Sequence, residues 1–515
     1  MPLARSNRRS TDRGEVRGPS EHDAPCAPLR RLMNTATSRA IEPRAPRSRA
    51  RTVLRWGSTY RRWVHCALLV VGLVRAMPAH AHGILKTSEP TAGAHIAIAP
   101  TSIQLVFTEQ PSLALTSIRL TGPGGESVAL RSLSAGADAR FAVMAQIEGR
   151  LASGVYTVQW QVAGNDGHPT SGSYRFTLAL PMTDHGADAT ASDMHQDPIS
   201  QPVSPVFGVE SPAYVAIRWV QYGALLVVIG VVAFALLVLP RLHQVTAAVA
   251  IAAMRSQAAR VGVIATLFLG GTAILRLLAQ SYALHGALLT PDPALLGTLL
   301  RVTQWGRAWL LEAVAILIAL VAFALARRHR RGMWPILGIA ATAMAGSMAL
   351  SGHAAAASRL LTLAIAADAL HIIGAGGWLG SLVVLAVVGI PASLRAEVSE
   401  RWHAVSLLVN AFSSTALACA ALTAVTGVFA AWLHVASLTA LWQTQYGQTL
   451  LLKLAVLSLT AGVGFYNWRR VTPLLGTVPA ATRRLQRSTA AELSIGVIVI
   501  LLTAVLVATP TGMDM

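Results

Sequence analysis

Two hydropathy patterns divide the chain. Between residues 82 and 181, apolar and polar positions alternate, as in Ser102-Ile103-Gln104-Leu105-Val106-Phe107 and Gly154-Val155-Tyr156-Thr157-Val158-Gln159-Trp160. A period of two marks half-buried strands. Ser117-Ile118-Arg119-Leu120 and the run from Ser173 to Leu180 add further strands, and Gly122-Pro123-Gly124-Gly125 reads as a turn. About seven short strands in some 100 residues predict an all-β sandwich or Greek-key barrel. From residue 213 the alternation gives way to apolar blocks at 213–239, 258–279, 306–326, 333–351, 360–388, 404–433, 449–468 and 492–509. Each approaches the ~20 residues that cross a hydrocarbon core, which predicts an all-α transmembrane bundle of about eight helices over 213–515. Residues 182–212, rich in Pro, Asp, Ser and Ala and without periodicity, read as a flexible linker.

Residues 1–60 are rich in Arg, Ser and Pro and carry no periodic signal. Arg61-Arg62, an apolar run over 64–74 and Ala79-His80-Ala81 follow, in the order of a signal peptide. Cleavage after Ala81 would remove residues 1–81 and leave His82 as the mature amino terminus. The basic stretch is long for a signal peptide, so translation starting at Met33 is an alternative. An uncleaved anchor is the competing reading, against which stands the shortness of the apolar run.

Composition sharpens the membrane reading. Hydrophobic residues make up 53% and charged residues 13%, against roughly 25% charged in ordinary soluble domains. The net charge of +19 invites nucleic acid as a partner. However, residues 1–81 hold 16 Arg against 5 acidic residues, and most of the remaining excess lies in short loops. Arg241, Arg255, Arg260, Arg327, Arg328, Arg330, Arg331, Arg395, Arg401, Arg469, Arg470, Arg483, Arg484 and Arg487 fall in every second loop, and the alternate loops carry only Arg301, Arg307 and Arg359. Basic loops face the cytoplasm, which puts the linker and the β-domain outside without any need for nucleic acid. Cys26, Cys66 and Cys419 leave no pair for a disulfide in the exported domain. No phosphate-binding motif of the form G-x-x-x-x-G-K-[ST] is present, so no role for ATP is read, and the chain reads as a non-enzyme.

The candidate chemistry is metal binding. A mature terminus at His82 offers an amine and an imidazole in one chelate, and Asn165-Asp166-Gly167-His168-Pro169 adds a carboxylate and a second imidazole. Such a donor set favours Cu(II). Asp166 and Gly167 are also ordinary turn formers, so the motif alone leaves a purely structural reading open. Polar residues inside spans are costly and usually functional. Here they are Arg276, Glu312, Asp368, His371 and Lys453. Asp368 and His371 share a helix face, with His371 about 16 Å deep. Ion pairing of Asp368 with Lys453 or Arg276 is the structural alternative. Met344 and Met348, with His353 in the following loop, would suit Cu(I), or fill gaps between helices. Met182, His185, Met194 and His195 in the linker are either copper relays or incidental.

The segments His82-Gly83-Ile84-Leu85-Lys86-Thr87-Ser88-Glu89-Pro90, Phe107-Thr108-Glu109-Gln110-Pro111 and Asp166-Gly167-His168-Pro169-Thr170-Ser171-Gly172 together resemble the CopC family. The resemblance implies a cupredoxin- or Ig-like β-domain in which His82, Asp166 and His168 bind Cu(II), with His95 a spare. Met144 is the sole methionine of 82–181, which argues against the methionine-rich Cu(I) site of some CopC proteins. Ser351-Gly352-His353-Ala354, Asp368-Ala369-Leu370-His371, Trp378-Leu379-Gly380, Phe412-Ser413, Gly427, Tyr446-Gly447, Leu451-Leu452-Lys453, Glu492 and Thr509-Pro510 resemble the CopD family. That implies copper contact by His353, Asp368 and His371 and copper movement, inward, across a bacterial inner membrane. The implied partners are copper, the lipid bilayer and periplasmic copper chaperones or oxidases. A sequestering or sensing protein that moves no ion is the first rival. A haem protein reducing copper is the second, weakened because only His371 lies deep in a span while haem needs facing axial ligands.

Overall fold

The structure, a computed structural model, describes residues 85–107, 110–135, 141–163, 169–179, 211–243, 246–285, 293–352, 360–397, 399–435 and 437–509. His82, Asp166, His168, His353 and the linker methionines and histidines lie outside the described residues.

The alternating segments form nine strands among the described residues: β1 (Leu85–Glu89), β2 (His95–Ile96), β3 (Ser102–Phe107), β4 (Ser117–Thr121), β5 (Ser127–Val128), β6 (Ser134–Ala135), β7 (Ala142–Gln146), β8 (Gly154–Ala163) and β9 (Pro169–Leu178). They build two sheets, ordered β1-β3-β7-β6 and β2-β9-β8-β4-β5. Every second residue of β3 and β8 points inward, so Ile103, Leu105 and Phe107 meet Leu120, Tyr156, Val158, Trp160 and Phe176 in one core. Phe107 meets Trp160 edge-on at 5.1 Å between ring centroids, tying the sheets together at one end.

Among the described residues the apolar blocks form eight helices long and apolar enough to span a membrane. In chain order, α1 (Pro212–Ala233) continues through a π turn to Leu242, and α2 is Ala248–His285. The short α3 (Pro293–Val302) precedes α4 (Gln304–Arg327) and α5 (Met333–Leu350). Next come α6 (Leu361–Ala375), prolonged through π turns to Ser393, and α7 (Arg401–His434). The short α8 (Ala440–Gln443) precedes α9 (Gln445–Tyr466) and α10 (Pro479–Leu506). Large apolar side chains such as Phe268, Leu317, Val321, Leu417 and Val428 face outward, as suits helices whose solvent is lipid. Two helices begin well before their apolar blocks: α2 at Ala248 rather than 258, and α10 at Pro479 rather than 492. The stretches so added carry Arg255, or Arg483, Arg484 and Arg487, and a helix outside the hydrocarbon needs no apolar surface.

The eight helices repeat one plan twice, which the sequence reading missed. In each half two long helices lead to a short helix, a sharp corner and two more spans. The corners read Thr303-Gln304-Trp305-Gly306 and Thr444-Gln445-Tyr446-Gly447. Each threonine Oγ1 accepts from the glycine N–H, at 2.9 Å in the first corner and 3.0 Å in the second. It also donates at 2.7 Å to the carbonyl of Leu299 or Ala440 in the short helix before it. Such caps are worth about 1 kcal/mol each. A Cβ on either glycine would strike the backbone of that short helix. Nine residues beyond each threonine stands a charged side chain, Glu312 or Lys453. The halves differ in packing: α2 lies along α4, whereas α7 and α9 scarcely touch.

The β-domain rests on the first half. Leu115 and Ala163 share a buried cluster with Leu299 of α3 and Trp305 of α4, edged by Leu277 and Trp309. Gln161 Nε2 donates to the carbonyl of Ala283 at 3.3 Å. Arg327 lies 22 residues beyond Trp305 on the same helix, about 33 Å away at 1.5 Å per residue, so the β-domain and that arginine-rich loop stand at opposite ends of the bundle.

Glycines close the helix crossings. A Cβ at Gly230 would hit the backbone of Gly380 and Ser381, and one at Gly380 the carbonyl of Leu226. Gly380→Leu is therefore expected to cost at least the ~1–3 kcal/mol of overpacking, read as a lowered Tm or loss of the monodisperse protein in detergent. For the docking contact, Gln161→Cys with Ala283→Cys, in a Cys419→Ser background, should be bridged by a short bismaleimide. Adding Leu299→Asp should abolish the bridge while leaving the β-domain folded.

Candidate copper-handling sites

The β-domain brings the flanks of its candidate ligands to one end. The β8–β9 ladder runs from Gly154↔Leu178 to Ala163↔Pro169, so residues 164–168, with Asp166 and His168, connect the last pair. Strand β1 starts at Leu85, paired with Phe107, and His82 precedes it by three residues, a reach of about 10 Å. Phe107 stands against Trp160, three residues before Ala163. Both ligand-bearing segments therefore leave the described structure at the same end of the sandwich. Ala163 at that end is fully buried against Leu299 and Trp305. His95 is exposed on β2.

Below that contact lies the first polar cluster, buried between helices. Arg276 (3% exposed) and Glu312 (1% exposed) approach at 3.5 Å. The same guanidinium lies 3.3 Å from Met348 Sδ, donates to Ser351 Oγ at 2.7 Å and stacks 5.1 Å from the Trp305 ring. Gln221 Nε2 donates to the other Glu312 oxygen at 2.7 Å. Tyr214 donates to Gln280 at 3.0 Å. Arg276 thus pairs with Glu312, not with Asp368. Both methionines belong to the apolar core, Met344 fully buried there, and Met348 also turns its sulfur to Arg276.

The second cluster holds Asp368 and His371, both half-buried on α6. Asp368 couples electrostatically to His434 of α7 and Lys453 of α9, and Lys453 couples also to His371. His371 Nδ1 stands 3.2 Å from Thr426 Oγ1 of α7. Its ring lies in a notch left by Gly427, where a Cβ would come within 3.1 Å of Cε1. The His434 ring faces Tyr446 at 6.4 Å. Among the described residues no group of three or more His, Cys, Asp or Glu gathers closely enough to hold a metal. Gln221, Ser351, Trp305 and His434 were not singled out as site residues by the sequence reading, although Gln221, a polar side chain within an apolar span, was a legible signal.

Three family models match the chain: the CopC domain over residues 85–179, the copper resistance protein D-like N-terminal domain over 209–361, and copper resistance protein D over 406–506. Copper transport protein CutJ of Bacillus subtilis (strain 168) is 25% identical over 457 residues, covering 88% of this chain and 78% of that protein. Copper resistance protein C of Escherichia coli is 36% identical over 121 residues, 22% of this chain and 94% of its own length. The crystal structure of CopC from Methylosinus trichosporium OB3b matches with 28% identity, 20% of this chain, 100% of that chain and a TM-score of 0.19. With the β-domain and the eight apolar helices in one polypeptide, the chain is a multi-pass membrane protein that belongs to the CopC–CopD copper resistance and transport family, both parts fused.

Proposed function

We propose that the chain captures Cu(II) outside the bacterial inner membrane through His82, Asp166 and His168 and passes copper inward through its helices. The observation that carries this reading is the seat of the β-domain: the end of the β8–β9 ladder from which the segment with Asp166 and His168 departs rests on α3 and α4, above the buried cluster of the first half. A docked donor meets its acceptor at high effective concentration, without a separate encounter. Asp368 and His371 then offer oxygen and imidazole donors inside the second half, with His353 and the buried Met344 and Met348 as further candidates. Removal of residues 1–81 is part of the proposal, because the chelate needs the free amine of His82. The arginine-rich loops support an orientation with the β-domain outside.

Two measurements test this. A methionine retained ahead of His82 should weaken Cu(II) binding by the full-length protein at least tenfold, about 1.4 kcal/mol, in a competition titration; unchanged affinity would remove the amine from the site. In proteoliposomes, His371→Ala should lower copper uptake by at least the ~10–100-fold that even outer-shell changes cost a metal site. Copper bound by the wild type without any uptake above empty liposomes would instead indicate sequestration.

A further inference from the structure

Every partner of the Arg276 guanidinium is an electron donor. A carboxylate oxygen, a thioether sulfur, a hydroxyl oxygen and the face of an indole converge on it. Beside them, fully buried Gln221 holds its amide to Glu312 while its Oε1 has no hydrogen-bond partner. The donors come from α1, α4, α5 and the residue capping α5, whereas the guanidinium alone comes from α2, on a long and flexible stem. This is the arrangement of a cation site already filled by a side chain. The second half has a counterpart, in which Lys453 acts electrostatically on both Asp368 and His371.

Resting on the reading that copper passes through this bundle, we propose that Glu312, Met348 and Ser351 form a station for a cuprous ion, which Arg276 occupies until the ion displaces it. Exchanging one monovalent cation for another leaves Glu312 neutralised at every stage, and in a low-dielectric interior an uncompensated carboxylate is the costly alternative; the displaced guanidinium keeps its charge and retires onto the face of Trp305, over which it already lies at 5.1 Å. The thioether sets the preference for a soft ion over sodium, potassium or magnesium, which take hard oxygen ligands. The Trp305 face adds attraction for any cation at that point. The step is ligand exchange alone, with no electron transferred. Because Trp305 also belongs to the contact with Ala163, the station lies directly beneath the docked hairpin. Arg276 thus keeps the station shut to adventitious ions while no copper is offered.

The test uses Ag(I), a redox-inert stand-in for Cu(I), in equilibrium dialysis against the purified full-length chain. Arg276→Gln removes the charge and keeps a donor toward Glu312 and Ser351. It is expected to take one Ag(I) per chain at this station at least tenfold more tightly than the wild type, whose guanidinium competes for the same place, and Met348→Leu in the same background should lose that ion. Equal Ag(I) affinity in wild type and Arg276→Gln, with Cu(II) binding by the β-domain intact, overturns the proposal. So does tight Ag(I) binding that survives Met348→Leu. If Arg276→Gln and Arg276→Ala both fail to fold, the guanidinium is a structural brace and not an exchangeable occupant, which also overturns it. The readout is binding, so it stands apart from uptake: a chain that moves no copper refutes the transport reading and leaves this affinity to be judged by itself.

Discussion

A charge enclosed by helices has no bulk solvent to fall back on, and the buried Glu312 carboxylate is the constraint around which the first half of the bundle is arranged. Left without a cation it would cost about 3–5 kcal/mol. In this structure Arg276 supplies the cation and draws α2 to α4, Met348 and Ser351 bring in the end of α5, and Gln221 ties α1 to the carboxylate. Once these helices are drawn together, the corner at Thr303 folds α3 back over Trp305, and the apolar surface so formed is what Leu115 and Ala163 of the β-domain rest upon. Electrostatics inside the membrane and docking outside the spans are thus two ends of one construction.

The second half uses the same corner with the opposite emphasis. Lys453 stands where the first half has Glu312, and α7 and α9 remain apart where α2 and α4 close. Asp368, His371, His434 and Lys453 accordingly come from three helices that are not locked by a common ion pair at hydrogen-bond distance. The chain therefore combines one sealed polar cluster beneath the β-domain with one looser cluster in the second half. An ion passing between them would move from a rigid donor set to an adaptable one.

Much of this was legible in the sequence because periodicity is local. The alternation in β3 and β8 and the eight apolar blocks depend only on neighbouring residues, and both survive as strands and spans. What depends on adjacency was not legible. Arg276 and Asp368 were both visible as intramembrane charges, yet which partner each takes follows from which helices touch, and Arg276 takes Glu312. The short α3 hid between two spans because ten amphipathic residues look like a loop to a hydropathy window. The repeat hid because only three of its four corner residues are identical and its aromatic alternates between Trp305 and Tyr446. The proposed copper ligands His82, Asp166 and His168 are legible only as residue types and a motif, and the described structure adds the common end from which their segments depart.

The notch at Gly427 carries a consequence for sequence drift. The imidazole of His371 fills the space that any β-carbon at 427 would claim, so position 427 is bound to 371 although 56 residues separate them. A homologue that trades glycine for a bulkier residue there has to shrink or turn its partner on α6, which makes the two positions a covarying pair whose joint history records whether the imidazole was kept.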